Sequence, residues 1–254
     1  MWRFATARVT GSSHLRAGTP CQDRLACVVL PDGTLVAAVS DGAGSAPLAD
    51  VGAEVAVQTV LDEIRHGLKD GRPDMNCALR RAALRAREAV LSRALEDGEE
   101  ASSYASTLLA LVEAPEGGAA LQIGDGVIVV GGGRDDWSWM FWPEHGEYAN
   151  TTRFLTDDDA AEHLRVEAFP SALTDIAVMT DGLEPLALHY ATHTVHGPFF
   201  RGMFQPLLES DGSAELNHLS VSLEHFLASE RVRMRTDDDM SLILATRRSA
   251  ASPD

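Results

Sequence analysis

Residues 34–45 read Thr-Leu-Val-Ala-Ala-Val-Ser-Asp-Gly-Ala-Gly-Ser, and the reading of the whole chain turns on them. Thr34 to Ser40 is apolar and β-rich without alternation, as expected of a strand buried on both faces. It stops abruptly at Asp41-Gly42, two residue types that seldom continue a strand. Upstream, Pro31-Asp32-Gly33 is a turn signal that joins it to another strand-like run, Leu25 to Leu30, so a hairpin is expected. Phe4 to Thr10 reads as a further strand. Downstream, Val51, Val55, Leu61, Ile64 and Leu68 supply the apolar face of a long helix that ends at Gly71-Arg72-Pro73. A second helix, rich in Ala, Leu and Arg, is expected from about Met75 to Leu95.

Beyond Ser103 the pattern changes to strands. Ser106 to Glu113, Ala119 to Ile123 and Val127 to Gly131 are separated by Pro115-Glu116-Gly117-Gly118 and by Gly124-Asp125-Gly126. Trp137 to Trp142 extends the meander, and alternation puts Trp137, Trp139 and Phe141 on one face, in core or interface packing. Pro143 to Pro170 reads as irregular and acidic, with Asp157-Asp158-Asp159 as a solvated loop. Asp175 to Thr180 is a buried-type strand. Leu183 to Glu209 reads as two short helices around His196-Gly197-Pro198. Ser213 to Ala228 is an amphipathic helix with Leu216, Leu219, Leu223, Phe226 and Leu227 inward, and Met240 to Thr246 is a last strand before a disordered tail, 247–254. This is an α+β order, not alternating βαβ. A four-layer sandwich of two antiparallel β-sheets flanked by helical layers accommodates it, as a single domain over 1–246.

Composition narrows the functions open to such a domain. The 254 residues carry 38 acidic against 21 basic side chains, a formal net charge of −17, which repels a nucleic-acid backbone and suits divalent cations. The arginines between Arg80 and Arg93 sit at helical spacing among Ala and Leu and read as a solvated face. Cys21, Cys27 and Cys77 form no CxxC pair, so reduced thiols and a cytoplasmic setting are expected. The N-terminus lacks an apolar signal core, and no apolar stretch is long enough to span a bilayer, so a soluble protein without membrane partners is expected. His189, His193 and His196 are too loosely spaced for a metal motif.

One pattern recurs: apolar strands end in an acid. Asp41-Gly42, Asp125-Gly126 and Asp181-Gly182 follow such runs, while Asp23 and Asp237-Asp238-Asp239 immediately precede others. Any one of these alone reads as turn chemistry. Together they can converge at one edge of stacked sheets, where carboxylates without basic partners repel one another and raise their pKa values. Hard oxygen donors with no buried Lys or Arg expected beside them in sequence are what Mg²⁺ or Mn²⁺ requires.

The order of these motifs resembles the PPM, or type 2C, serine/threonine protein phosphatases. The matching pieces are Gln22-Asp23 before a strand, VSDGAGSA before a long helix, Ser106-Thr107, IGDG, VMTDGLE and DDDMSLILA, from about Ser12 to Thr246. Ser13-His14 and Gly18-Thr19-Pro20-Cys21-Gln22-Asp23 are similar to the form found in a bacterial subgroup. The resemblance implies metal-dependent hydrolysis of phosphoserine and phosphothreonine in proteins, with two divalent ions, Mg²⁺ or Mn²⁺, that activate a water. It implies that Asp41 bridges the ions, with the Gly42 carbonyl on one and Asp181 and Asp238 on the other. Asp23 would hold waters behind them, and Asp125, with Asp181, would hold a weaker third ion. The implied partners are a phosphorylated protein and a cognate kinase, and 143–170 corresponds to a flap beside the site.

The sequence departs from the family pattern at three places. Ala43 stands where relatives often carry a His that protonates the leaving group, Gly18 stands where a phosphate-binding Arg is usual, and Val127 stands in place of the Arg of the IGDG turn. His14 and Arg16 are the nearest replacements, His14 as acid or phosphate-orienting group and Arg16 as substrate-binding group; a hydrogen-bonded structural role for His14 stands beside this. Other functions remain open at this level. One is a catalytically silent module that binds phosphoproteins or a kinase, and another is a small-molecule phosphomonoesterase.

Overall fold

The computed structural model describes residues 1–69, 71, 74–132, 136–143, 152–170, 173–210 and 214–247. The chain opens with β1 (Arg3–Val9), a short helix α1 (Ser12–Ala17) and the hairpin β2 (Arg24–Val29) and β3 (Leu35–Ser40). Two long helices follow, α2 (Ala49–Lys69) and α3 (Met75–Asp97). Then comes the meander of β4 (Leu108–Ala114), β5 (Gly117–Ile123), β6 (Val127–Gly131) and β7 (Trp137–Trp139). After it lie α4 (Ala160–His163), β8 (Arg165–Phe169), β9 (Asp175–Met179), α5 (Glu184–Ala187), and the short pair β10 (Leu188–His189) and β11 (Thr194–Val195). The chain continues through α6 (Gly197–Glu209), β12 (Ala214–Glu215), α7 (Asn217–Leu227) and α8 (Glu230–Arg233) to β13 (Met240–Thr246).

These elements stack in four layers. One sheet has five strands in the order β2-β3-β4-β5-β8, and the other has six in the order β12-β1-β13-β9-β6-β7. Both are antiparallel, except that β12 joins β1 in parallel. Strand β3 explains why its sequence does not alternate. Val36 and Ala38 pack under α2 and α3, while Leu35, Ala37 and Val39 enter the core between the sheets. Strand β13 is divided the same way on the other sheet, with Ile243 and Ala245 between the sheets and Leu242 and Leu244 under α6 and α7. Close packing of α3 relies on small residues, since its buried face is Ala78, Ala82, Ala83, Ala86 and Ala94 with Leu79 and Val90. The Asp74 side chain caps its first turn by accepting from the Cys77 N–H at 2.8 Å.

Several expectations are corrected. Strand β7 ends at Trp139 and the chain bends at Met140, although the Met140 N–H still donates to the Ile128 carbonyl in register. Phe141 therefore turns into the core between the sheets, whereas Trp137 packs on the helical side against Phe200 and Phe204, so the two do not share a face. Residues 143–170 are not irregular throughout: β8 pairs with β5 as an edge strand. Its outward Glu167 and half-buried Arg165 disguised it, since a strand with only one covered face needs few apolar residues. Arg87 and Arg80 of α3, read as solvated, donate to the Asp157 and Leu164 carbonyls and tie this segment to the helix.

The amphipathic helix near the C-terminus begins at Asn217, later than expected, because 214–215 are drawn into the sheet beside β1. Arg247 does not belong to a loose tail. It donates to the Leu173 carbonyl, pairs with Glu113 at 2.8 Å and lies over the Trp2 ring. The rest of the expected tail, 248–254, and residues 144–151 of the expected flap lie outside the described residues. Among the described residues no helix is long and apolar enough to cross a membrane.

Candidate metal centre

The hairpin β2–β3 carries Asp41 to the edge of the five-stranded sheet. There the Asp41 N–H donates to Thr107 Oγ1 at 3.0 Å, and its carbonyl accepts from the Thr107 N–H at 2.8 Å. Ser106 and Thr107, at the start of β4, thus clamp the strand end. Gly42 follows in a tight place: a Cβ there would stand 2.8 Å from the Gln22 carbonyl and 2.9 Å from Ala49 at the start of α2. No other residue type lets the chain pass between them.

Two more strand ends meet Asp41. Asp125 lies in the turn between β5 and β6, with one oxygen accepting from Thr152 Oγ1 at 2.5 Å. Asp181 follows β9. The next residue, Gly182, passes so close to β13 that a Cβ would stand 2.0 Å from the Asp239 carbonyl oxygen. Carboxylate oxygens of Asp41, Asp125 and Asp181 come within 4.8 Å of one another. Burial and the neighbouring acids push Asp41 well above the usual carboxylate range, and burial, then Asp125 and Asp238, push Asp181 up to about 8.

Asp23 completes the inner group. It is fully buried before β2 and accepts from Thr180 Oγ1 at 2.8 Å. Burial, opposed by the Thr180 hydrogen bond, lifts it to about 6. One oxygen each of Asp23, Asp125 and Asp181 is buried without a hydrogen-bond partner. Among the described residues none of these carboxylates pairs with a basic side chain. Buried oxygen donors that repel one another and lack a basic partner are the donor set a divalent cation takes, so the residues present fit such an ion.

The remaining expected site residues lie at the rim. Asp238 is more exposed and outside the three-carboxylate group; its Oδ1 accepts from the Asp239 N–H at 2.8 Å, and it raises the pKa of both Asp41 and Asp181. His14 and Arg16 sit on α1, a helix that sequence reading left unassigned. Gly18 takes a φ of 71° to end it, which accounts for a glycine at that position. Arg16 is solvated and pairs with Asp237 at 3.2 Å. His14 is turned inward, and its Nδ1 lies 2.7 Å from Asp239 Oδ2.

Sequence reasoning passed over Asp239, which is 2% exposed and also accepts from the Gly11 and Gln22 N–H groups. The only signal was its place as the third acid of Asp237-Asp238-Asp239. Thr180 was missed as well; its hydroxyl donates to Asp23 and accepts from the Ser241 N–H at 3.0 Å.

Comparison with known proteins agrees with this geometry. Residues 10–227 match the family model described as protein phosphatase 2C. The chain is 34% identical over 249 residues to serine/threonine-protein phosphatase 3 of Escherichia coli K12, covering 96% of this chain and 98% of that protein. Among solved structures it is similar to PppA, a key regulatory component of T6SS in Pseudomonas aeruginosa, with a TM-score of 0.64, 18% identity, and 96% and 97% of the two chains covered. It is also similar to the catalytic domain of the serine/threonine protein phosphatase PstP in complex with two manganese ions, with a TM-score of 0.61, 17% identity, and 96% and 97% covered. At those identities the structures show the fold, and the family model and the E. coli relative show the lineage. The chain belongs to the protein phosphatase 2C family, the metal-dependent protein phosphatases its sequence resembles.

Proposed function

We propose that the chain is a working phosphoserine/phosphothreonine phosphatase whose site is built by this chain's own Asp41, Gly42, Asp181 and Asp238 around two divalent cations, Mn²⁺ or Mg²⁺. Asp125 would add a place for a third ion, and Asp23 would hold water behind the first two. The observation that carries the reading is the meeting of Asp41, Asp125 and Asp181 oxygens within 4.8 Å, with Asp125 buried, the other two half-buried, and no basic partner among the described residues. Because those residues come from strand ends between Asp23 and Asp238, the catalytic unit takes in nearly all of 1–246. When bound, the cations lower the pKa of a water and neutralise charge on the transferring phosphoryl group.

The chain's own contribution is to hold the reacting groups. Thr107 fixes the backbone of Asp41 from both sides. His14 is assigned the leaving-group proton. Asp239 accepts from Nδ1, which sets the tautomer and leaves Nε2 facing the loop after Asp41, 3.8 Å from where a Cβ on Gly44 would stand. In this reading His14 takes from α1 the role that the resemblance gives to a His at the position of Ala43. Arg16, which pairs with Asp237 at the surface, would meet the substrate beyond the phosphate.

The substrates are read as targets of a cognate serine/threonine kinase, in a reducing cytoplasm. Support for that setting is that Cys21, Cys27 and Cys77 are all free, with Cys21 and Cys27 thiols pushed up by burial and so unreactive. The test is phosphopeptide hydrolysis with and without Mn²⁺, beside Asp41→Asn and Asp181→Asn. Activity that survives chelation, or equal activity in all three proteins, would overturn the two-metal reading.

A further inference from the structure

Away from the carboxylates, α5 to α8 line an open cleft of about 530 Å³ on the outer side of the six-stranded sheet. Its wall includes Leu186 and Phe199, and its rim carries His189, His196, Arg231 and Arg235. A narrower chamber of about 210 Å³ continues from it between α6 and α7, lined by Leu207, Leu219 and Leu223. Gly202, Met203 and Phe226 line both spaces, so they form one cleft with basic side chains along its first part and a largely apolar lining in its second.

Nothing in the packing demands a glycine at position 202. Glycine inside a helix costs about 0.5–1 kcal/mol relative to alanine. Here nothing lies within 4 Å of where its Cβ would stand, and the residue lines both spaces, so a side chain there would meet no packing clash. Four residues on, Pro206 lacks an N–H, which leaves the Gly202 carbonyl without its helical donor. The basic part is unusual for this protein as well. In a chain of net charge −17, the exposed guanidinium groups of Arg231 and Arg235 form no ion pair or side-chain hydrogen bond with any described residue. Beside them His196 Nδ1 and His189 Nε2 are 2.7 Å apart, which turns the second nitrogen of each ring away from the shared bond.

We propose that this cleft binds an amphiphilic organic anion, with a carboxylate or phosphate-like head at Arg231 and Arg235 and an apolar body in the adjoining apolar chamber. Its size lies within the range of ligand sites, roughly 300–1,000 Å³. Guanidinium groups without an ion-pair partner among the described residues, in a chain of net charge −17, select the charge of the head, since they are suited to charge-assisted bonds with either head group. The apolar chamber selects the rest of the molecule. The site is independent of the hydrolytic reading and stands or falls without it.

Isothermal titration of the full chain with decanoate, decylphosphonate and uncharged decanol, each below its aggregation concentration, tests the assignment. Saturable binding at one site is expected for at least one of the anions, with decanol roughly tenfold or more weaker. Preference between the two anions identifies the head group. Gly202→Leu, which adds bulk to the lining, and Arg231→Gln with Arg235→Gln, which discharges the basic part, should each weaken the anion by roughly tenfold or more. The arginine double variant lies at the surface and keeps the test open should Gly202→Leu fold poorly. No saturable binding of either anion, equal affinity for decanol, or undiminished binding by the arginine double variant would overturn it.

Discussion

His14 Nδ1 and Asp239 Oδ2 lie 2.7 Å apart, although 225 positions separate the residues in the chain. The contact joins α1 to the turn before β13, and the same carboxylate accepts from the Gly11 and Gln22 N–H groups on either side of α1. One buried acid therefore holds both ends of the segment that carries His14.

If His14 protonates the leaving group, His14→Ala should lower kcat on a phosphoserine peptide by about 10²-fold or more, within the range of general-acid catalysis. Hydrolysis of p-nitrophenyl phosphate, whose leaving group needs no proton, should fall much less, and Mn²⁺ affinity should hold. Asp239→Asn should show the same substrate split in weaker form. An equal loss on both substrates would return His14 to a structural role.

The raised carboxylates make stability depend on pH. Asp23, Asp41 and Asp181 have folded pKa values above the unfolded value of about 3.9, so the folded state binds the extra protons and stability falls as pH rises. The loss sets in above about pH 4 and continues through about pH 6 for Asp23 and about pH 8 for Asp181. In chelator, Tm should drop between about pH 5 and pH 8, and excess Mn²⁺ should reverse the drop. Asp181→Asn should raise Tm in chelator at the upper end of that range while abolishing hydrolysis. A melting temperature in chelator that is flat across the range contradicts the buried cluster.

Thr107→Val keeps the shape of the side chain but removes the acceptor for the Asp41 N–H. A buried donor left unpaired costs about 1–3 kcal/mol. Urea denaturation should register that loss, and the Mn²⁺ concentration for half-maximal activity should rise because the backbone of Asp41 is no longer held. Unchanged values of both would remove Thr107 from the site.

Gly182→Ala places a methyl 2.0 Å from the Asp239 carbonyl oxygen, a backbone atom that cannot turn aside. A destabilisation of about 1–3 kcal/mol is expected from overpacking. Because the displaced turn also carries Asp238 and the partner of His14, kcat should fall further than stability alone explains. Full activity in a folded variant would show that this close approach is not needed.

Local sequence determined the elements and their ends. The run from Thr34 to Ser40 could not alternate because it is covered on both faces, and the turns at Asp32-Gly33 and Gly124-Asp125-Gly126 are written in residues suited to them. The same logic marked Asp41, Asp125 and Asp181 as acids closing apolar strands, and those three do converge. It failed where an element depends on what lies beside it. Edge strand β8 has too few apolar residues to announce itself, and helix α1 is only a turn and a half, held by backbone bonds to Asp237 rather than by its own pattern. Tertiary structure alone decided that Asp239 faces His14 while Asp238 stands at the exposed rim beside Asp41 and Asp181, that Arg16 remains in solvent, and that two arginines without an ion-pair partner among the described residues line an apolar cleft. Strand ends follow from turn chemistry within a few residues, but which carboxylate meets which partner is set by how the sheets stack, and that depends on contacts between residues far apart in the chain.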